Sequence, residues 1–190
     1  MGKKVLALDI GNVCVKINHL NFQQALGIKQ LPEKLTILMR DFECGIIRDE
    51  TTFLLTAARI LENRFPAEQI LTAFNSILIE KVPGMTELVS ALPEQKITAV
   101  FFSDISPTHL QRTKELFPAF DTVPGGIFSF ESGSQKPSPA MFERFEQLYG
   151  VPDLYTDDRI DLITAAIRRG WNAVQFTNAE DLREKLSALS

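Results

Sequence analysis

Polar side chains follow three apolar segments of this 190-residue sequence. Asp9 follows the first segment, Ser103 and Asp104 follow the second, and Asp157 and Asp158 follow the third. Short apolar runs bounded by polar residues are typical of buried strands. An isolated Asp at such a place usually only caps the next turn, but a buried carboxylate without a partner costs several kcal/mol. Three such positions together predict a metal site or a reaction centre.

Strands and helices alternate from residue 82 onward. The apolar runs at 97–102, 154–156 and 171–176 predict strands, and the segments between them have helical periodicity. Alternation of this kind predicts an α/β fold with a doubly wound parallel sheet. The carboxyl ends of parallel strands meet at one edge, where such folds bind ligands. We therefore expect the acidic and hydroxyl residues at that edge, together with Lys136, which lies just before a predicted helix.

A long inserted segment separates the first strand from the others. Apolar residues recur at helical spacing through residues 19–80, and a helix beginning near Pro66 is predicted to run to about Glu80. The insertion is therefore predicted to be an all-helical cap domain, residues 16–81. The core domain is predicted to comprise residues 1–15 and 82–190, with the cap over the carboxyl edge of the first strand.

Composition excludes several classes of protein. The net charge of -4 and the absence of long Lys/Arg clusters disfavour a nucleic-acid-binding surface. The apolar runs are too short for a membrane span or a signal peptide. The two cysteines, Cys14 and Cys44, form neither a zinc-binding spacing nor a disulfide framework. These features predict a reduced, cytoplasmic protein, and they leave both a monomer and a homodimer open.

Four motifs, in order, resemble those of the haloacid dehalogenase-like (HAD) hydrolase superfamily. They are found at residues 6–13, 100–104, 136–142 and 155–161. Residues 44–50 are similar to the phrase that opens a cap helix in the branch of this superfamily with a class I helical cap. The Asp-x-Gly-Asn-Val form of the first motif looks closest to small bacterial sugar-phosphate phosphatases. Each motif alone is weak, but their order and spacing together are specific.

The resemblance implies a nucleophile and a metal site. Asp9 would attack phosphorus and form an aspartyl-phosphate intermediate. Mg2+ would be held by Asp9, the backbone carbonyl of Gly11 and Asp158, with Asp157 close behind, directly or through water. Small phosphorylated metabolites, such as sugar phosphates, are the implied substrates.

The resemblance also implies how the phosphoryl group is bound. Lys136 would hold Asp9 and the phosphoryl oxygens, while Ser103 and the backbone N–H of Asp104 would bind another phosphoryl oxygen. The backbone N–H groups after Asp9, including those of Gly11 and Asn12, would form an anion-binding nest. His109, six residues after Ser103 of the second motif, is a further candidate for substrate contact, although a polar helix surface explains it as well.

Three positions depart from the family's pattern. Gly11 stands where most phosphatases of the family have an Asp that protonates the leaving group, and glycine cannot move a proton. Asp104 stands where relatives often have Asn, and its charge would weaken anion binding unless it is turned away. Leu162 stands where a polar or small residue is common.

Three functions are therefore weighed. The first is a Mg2+-dependent phosphatase acting through Asp9 on a small phosphorylated metabolite. The alternative is a weakly active or non-catalytic binding or regulatory protein with the same fold, which Gly11, Asp104 and Leu162 favour. A haloacid dehalogenase ranks last, because such enzymes need no metal and the pair Asp157-Asp158 would then lack a purpose.

Overall fold

The computed structural model describes residues 4–189 of the chain. The strands in this range are β1 (Lys4–Leu8), β2 (Val15–Ile17), β3 (Leu78–Lys81), β4 (Ile97–Ser103), β5 (Gly126–Phe128), β6 (Leu154–Asp157) and β7 (Ala173–Gln175). The α-helices are α1 (Leu20–Leu26), α2 (Glu33–Glu43), α3 (Glu50–Ile60), α4 (Ala67–Asn75), α5 (Met85–Ala91), α6 (Pro107–Leu116), α7 (Ser129–Ser132), α8 (Pro139–Tyr149), α9 (Ile160–Arg168) and α10 (Ala179–Ser187).

Five of the strands form a parallel sheet in the order β5-β4-β1-β6-β7. Strand β1 lies at its centre, and Leu8 pairs with Phe101 of β4 on one side and with Thr156 of β6 on the other. Because neighbouring strands end at the same level, the residues that follow them emerge at one edge of the sheet. The predicted α/β fold with a parallel sheet is confirmed.

The two faces of the sheet are buried in separate apolar clusters. Leu6 and Leu8 of β1 pack into the larger cluster, whereas Ala7 between them packs into the other. This alternation is the period of two expected for a strand covered by helices on both faces. The smaller cluster is rich in aromatic rings that contact one another edge to face or tilted, namely Phe102, Phe142, Phe145, Tyr155 and Trp171.

Helices α1–α4 form an insert between β2 and β3, here called the helical insert (residues 20–75). Its core is a set of phenylalanine rings in which Phe42 stacks on Phe53 with 4.6 Å between centroids, and Phe53 contacts Phe74 at 4.7 Å. The insert is helical, as the periodicity predicts. The exact domain boundaries at residues 16 and 81 stay a prediction.

One sequence-based expectation for this region is wrong. The helix that begins after Pro66 ends at Asn75 rather than near Glu80, and Leu78–Lys81 is the strand β3. Strand β3 pairs antiparallel with β2, so that a two-stranded ribbon joins the helical insert to the core. Helical periodicity cannot reveal this pairing, because the partner strand lies about sixty residues earlier in the chain.

Helix α6 of the core holds the helical insert in place. The hydroxyl of Thr108 donates a hydrogen bond to Glu50 Oε2 at 2.7 Å. The ring of His109 stacks on Phe74 with 3.9 Å between centroids, and its Nε2 donates to the Phe74 carbonyl oxygen at 3.0 Å. These contacts fix the insert against the carboxyl edge of the sheet. None of the helices in the described part of the chain has the length and apolar character needed to cross a membrane.

The turn after α2 requires glycine for two reasons. Gly45 has a φ of 68°, and a Cβ added there would lie 2.0 Å from the backbone oxygen of Phe130. Gly27 after α1 has a similar φ of 64°, but an added Cβ there would meet nothing within 4 Å. The two positions therefore share the left-handed backbone and differ in the close approach.

We predict that Gly27→Ala lowers the free energy of unfolding by about 1–2 kcal/mol, the usual cost of the left-handed backbone for an L-residue. Gly45→Ala is expected to lose at least about 2 kcal/mol more, because the backbone of Phe130 must shift. Urea denaturation of both variants measures the difference. Equal losses would show that the contact between Gly45 and Phe130 does not constrain the fold.

Candidate functional site

Asp9 lies at the end of β1, where the chain turns tightly. Its side chain is buried, and Oδ1 accepts a hydrogen bond from Lys136 Nζ at 2.9 Å. The N–H groups of Cys14 and Val15 both donate to the carbonyl oxygen of Ile10, at 2.8 and 3.0 Å, which closes the loop after Asp9. Asn12 in this loop has a φ of 53°, a conformation that Asn tolerates better than most residues.

Lys136 places a buried ammonium group between two carboxylates. Its Nζ donates to Asp9 Oδ1 at 2.9 Å, to Asp157 Oδ2 at 2.6 Å and to the Phe102 carbonyl oxygen at 2.9 Å. Its backbone N–H donates to Asp104 Oδ1 at 2.9 Å, which fixes the loop that carries it. Burial alone would lower the pKa of Lys136, but the surrounding acidic groups hold the pKa well above its usual value.

The two acidic residues after β6 have different surroundings. Asp157 is fully buried; its Oδ2 accepts from Lys136 and from the Tyr155 hydroxyl, and its Oδ1 accepts from the backbone N–H of Arg159 at 3.0 Å. Asp158 is only partly buried, and its Oδ2 accepts from Asn12 Nδ2 at 2.9 Å. Asp158 is therefore the more accessible of the pair from the open side of the site.

Asp9, Asp157 and Asp158 have the donor chemistry of a site for a hard divalent cation. One carboxylate oxygen from each lies within 4.8 Å of the others. Burial raises the pKa of Asp9 to about 7 against the opposing effect of Lys136, and the charge of Asp157 raises it further. Burial also raises the pKa of Asp158. Negative charge here exceeds what one ammonium group balances, and oxygen ligands of this kind suit Mg2+.

A cavity of about 660 Å³ opens above these carboxylates. The helical insert and the β2–β3 ribbon contribute to its lining, with Leu20 and Glu43 from the insert and Ile17 and Leu78 from the ribbon. The structure brings all of the site residues predicted from the sequence to this one cavity: Asp9, Gly11, Asn12, Ser103, Asp104, His109, Lys136, Asp157 and Asp158. Their individual roles remain predictions.

Comparison with known proteins identifies the fold. No protein-family model matches the sequence, and a search of curated proteins finds no match. Among solved structures, a HAD family enzyme of Bacteroides thetaiotaomicron in its magnesium complex superposes with a TM-score of 0.82 and 23% identity, covering 95% of this chain and 96% of that chain. The chain has the HAD-like fold.

Two further structures extend this result. A predicted HAD-like family hydrolase of Porphyromonas gingivalis superposes with a TM-score of 0.79 at 19% identity, covering 100% of this chain and 98% of that chain. The L-2-haloacid dehalogenase of Xanthobacter autotrophicus is more distant, with a TM-score of 0.61 and 16% identity over 99% of this chain and 83% of that chain. At these identities the likeness shows the fold and leaves the chemistry to the residues of the site.

The three departures from the HAD pattern have distinct structural settings. A Cβ added at Gly11 would lie 3.1 Å from Ile17 Cδ1 and 3.9 Å from Asp9 Oδ2, so an isoleucine methyl borders the space of an acidic side chain. The Asp104 carboxyl is engaged with the backbone N–H of Lys136, and burial raises its pKa. Leu162 is buried and lines the cavity. Asp104 thus positions the loop that carries Lys136.

His109 lines the cavity but uses one ring nitrogen elsewhere. Its Nε2 contacts the Phe74 carbonyl oxygen, and burial lowers the pKa of the ring to about 4. The imidazole is therefore neutral near pH 7 and joins the core to the helical insert. The predicted substrate contact of His109 is left to experiment.

Glu43 is a cavity residue that sequence analysis did not single out. It is the last residue of α2, and its Oε2 accepts from Gln135 Nε2 at 2.9 Å. One signal for it exists in the sequence: an acidic residue at the carboxyl end of a helix opposes the helix dipole. An acid at such an unfavourable place is a candidate for a functional role.

We predict that the neutral His109 makes the protein sensitive to acid. The pKa of its ring in the folded state, about 4, lies below the usual 6.5. The unfolded chain therefore binds more protons between these values, and stability falls as the pH drops through this window. Between pH 7 and 4.5 this residue is expected to account for a loss of about 2 kcal/mol.

Urea denaturation at both pH values measures this effect. His109→Gln should have a lower stability at neutral pH but a flatter dependence on pH than the wild type. His19→Gln is the comparison variant: burial lowers the pKa of His19 in the same direction, but this side chain is more exposed, so its removal should flatten the dependence less than His109→Gln does. An unchanged slope for His109→Gln would contradict the prediction.

Proposed function

We propose that this protein is a Mg2+-dependent phosphatase that hydrolyses a small phosphorylated metabolite through an aspartyl-phosphate intermediate on Asp9. The observation that carries the proposal is the contact of Lys136 Nζ with both Asp9 and Asp157, beside Asp158 at the floor of a cavity. A carboxylate that contacts an ammonium group and belongs to a cluster that could hold a metal suits nucleophilic attack on a phosphate ester.

The acidic cluster fits magnesium. Asp9, Asp158 and the carbonyl of Gly11 would hold the ion, and Asp157 would support it from behind, since its Oδ2 is engaged with Lys136. Bound there, Mg2+ would neutralise charge on the phosphoryl oxygens. The Bacteroides thetaiotaomicron HAD family enzyme has been solved in complex with magnesium and inorganic phosphate.

The protein's own groups would supply the remaining steps. Asp9 would attack phosphorus in line with the leaving oxygen, and Lys136 would keep the nucleophile oriented and neutralise the developing charge. The Ser103 hydroxyl and the backbone N–H of Asp104 would donate hydrogen bonds to a phosphoryl oxygen. Ser103 is almost fully buried at the end of β4, which suits a fixed donor.

We further propose that the helical insert is a cap that selects the substrate. Residues of the insert and of the β2–β3 ribbon, including Leu20, Glu43 and Leu78, line the same cavity as Asp9. The leaving group of the substrate would point toward them, because in-line attack places it away from Asp9.

The pattern of free cysteines is consistent with the reduced, cytoplasmic setting predicted from the sequence.

Two other functions are less well supported. A binding or regulatory protein is favoured by Gly11, since the space of the usual acid is bordered by a methyl group of Ile17. A dehalogenase mechanism would give the clustered Asp157 and Asp158 no task, although a haloacid dehalogenase has a related fold.

The test is phosphate release from sugar phosphates, nucleotides and 4-nitrophenyl phosphate, with and without Mg2+. We predict release that requires Mg2+ and that falls at least about 10³-fold in Asp9→Asn, because the nucleophile is lost. Asp121→Asn, an equivalent change at an exposed position, should leave the rate unchanged.

Other outcomes would separate the alternatives. Metal-independent turnover of a 2-haloacid would favour the dehalogenase mechanism. Calorimetric binding of Mg2+ without release from any compound would favour the binding protein. Turnover that survives in Asp9→Asn would contradict the covalent mechanism.

A further inference from the structure

The cavity contains more acidic groups than its cations can balance. Lys136 and Arg159 are the lysine and arginine among its described lining residues, and Arg159 is already paired with Asp161 at 2.7 Å. The lining carboxyl groups are those of Asp9, Glu43, Asp104, Asp157 and Asp158. Even a bound divalent cation would leave a negative excess before a phosphate dianion enters. Binding of the substrate is therefore favoured when one of these carboxyl groups is protonated.

Glu43 is the carboxyl group best placed to carry that proton. It lies outside the metal-binding cluster, and it belongs to the helical insert rather than to the sheet edge. Burial raises the pKa of Glu43 to about 7, and the nearby charge of Asp104 contributes, whereas the hydrogen bond from Gln135 acts in the opposite direction. A group that titrates near neutral pH can both give and take a proton.

The position of Glu43 is fixed relative to the nucleophile. Its Oε2 accepts from Gln135, and the next residue in that loop, Lys136, contacts Asp9. Its backbone carbonyl oxygen accepts from the Ser129 hydroxyl at 2.6 Å, which attaches the end of α2 to the core. The hydrogen bond to Gln135 leaves Oε1 for a ligand in the cavity.

We propose that Glu43 is the general acid and base of this site, in place of the Asp that is missing at position 11. This inference rests on the proposed phosphatase function. Its geometric basis is a carboxyl group that the helical insert contributes to the cavity of Asp9. This carboxyl group accepts a hydrogen bond from Gln135, and the next residue, Lys136, contacts Asp9.

The two half-reactions balance. Asp9 attacks phosphorus, the bond from phosphorus to the ester oxygen breaks, and that oxygen keeps the electron pair and takes the proton of Glu43. The alcohol leaves and Glu43 is ionised. Glu43 then takes a proton from water, and the water oxygen attacks the phosphorus of the aspartyl-phosphate. The bond between phosphorus and the Asp9 oxygen breaks, and its electron pair stays on that oxygen. The products are the Asp9 carboxylate, protonated Glu43 and free phosphate.

Leaving-group dependence distinguishes this role from a structural one. The isosteric Glu43→Gln retains a side chain that can bond to Gln135 but cannot donate an acidic proton. For phenyl phosphate, whose leaving group needs a proton, we expect kcat/KM to fall about 10²–10⁴-fold. For 4-nitrophenyl phosphate, whose leaving group departs as an anion, the first step needs no proton, and we expect the phosphorylation rate in single-turnover experiments to change less than about 10-fold.

The control is Glu50→Gln. Glu50 also joins the helical insert to the core, through its bond with Thr108, but it does not line the cavity. This variant should keep the wild-type ratio of the two rates.

A rescue experiment adds Gly11→Asp and Ile17→Val to Glu43→Gln. Gly11→Asp places an acid at the position that most of the family uses, and Ile17→Val makes room for it by removing the methyl nearest to the added Cβ. Partial recovery with phenyl phosphate would support the inference.

A pH profile gives an independent readout. The titratable groups near Glu43 are Asp104, which follows β4, and Cys44, its neighbour in the chain, while Gln135 is neutral. For phenyl phosphate, kcat/KM should fall as the pH rises through about 7, because Glu43 loses its proton. Burial is the main cause of the raised pKa of Glu43, and Asp104→Asn removes the charge that adds to it, so this alkaline limb should move to lower pH.

The outcomes keep the two proposals apart. Suppose that the wild type releases phosphate and Asp9→Asn does not. If Glu43→Gln then loses activity equally toward both aryl phosphates and keeps the alkaline limb of the pH profile, Glu43 has only a structural role. If Glu43→Gln retains the wild-type rate with phenyl phosphate, the inference is overturned while the phosphatase function stands. If the wild type releases no phosphate from any compound, both fail.

Discussion

The ammonium group of Lys136 is the contact on which the site depends. Asp9 and Asp157 are both buried at the centre of the sheet edge, and each accepts a hydrogen bond from this single cation. Removing one partner of a buried ion pair typically costs about 3–5 kcal/mol, because it leaves a charge without compensation. The loop before α8 must therefore position the Lys136 side chain between the two carboxylates. Asp104 fixes this loop by accepting a hydrogen bond from the backbone N–H of Lys136.

The sheet and its aromatic cluster make this arrangement rigid. The register places Leu8, Phe101 and Thr156 side by side, so the polar groups after these strands have little freedom in relative height. Lys136 Nζ also lies 5.3 Å from the ring centroid of Phe102 and 5.7 Å from that of Tyr155. Aromatic faces attract a cation within about 6 Å. The same cluster that packs one face of the sheet thus also stabilises the charge above it.

What the sequence predicts well depends on local pattern. Asp9, Ser103 and Asp157 could be placed at one edge because each follows an apolar run, and the carboxyl ends of parallel strands lie at the same edge of the sheet. The β2–β3 ribbon and the bond from Gln135 to Glu43 could not be predicted, because each joins residues about 60 to 90 positions apart without a periodic signal. His109 shows the same limit: its partner, Phe74, belongs to the insert.

The helical insert does more than cover the cavity. The proposed nucleophile and the carboxylates proposed to hold the metal belong to the core, whereas Glu43 belongs to the insert and contacts the loop of Lys136 where the two parts meet. If Glu43 transfers the proton, the site is complete only while the insert is docked, which also excludes bulk water from the cavity. An acid at position 11 would be present whether or not the insert is docked. With glycine at position 11 and Glu43 as the acid, proton transfer would depend on the same contacts that enclose the substrate.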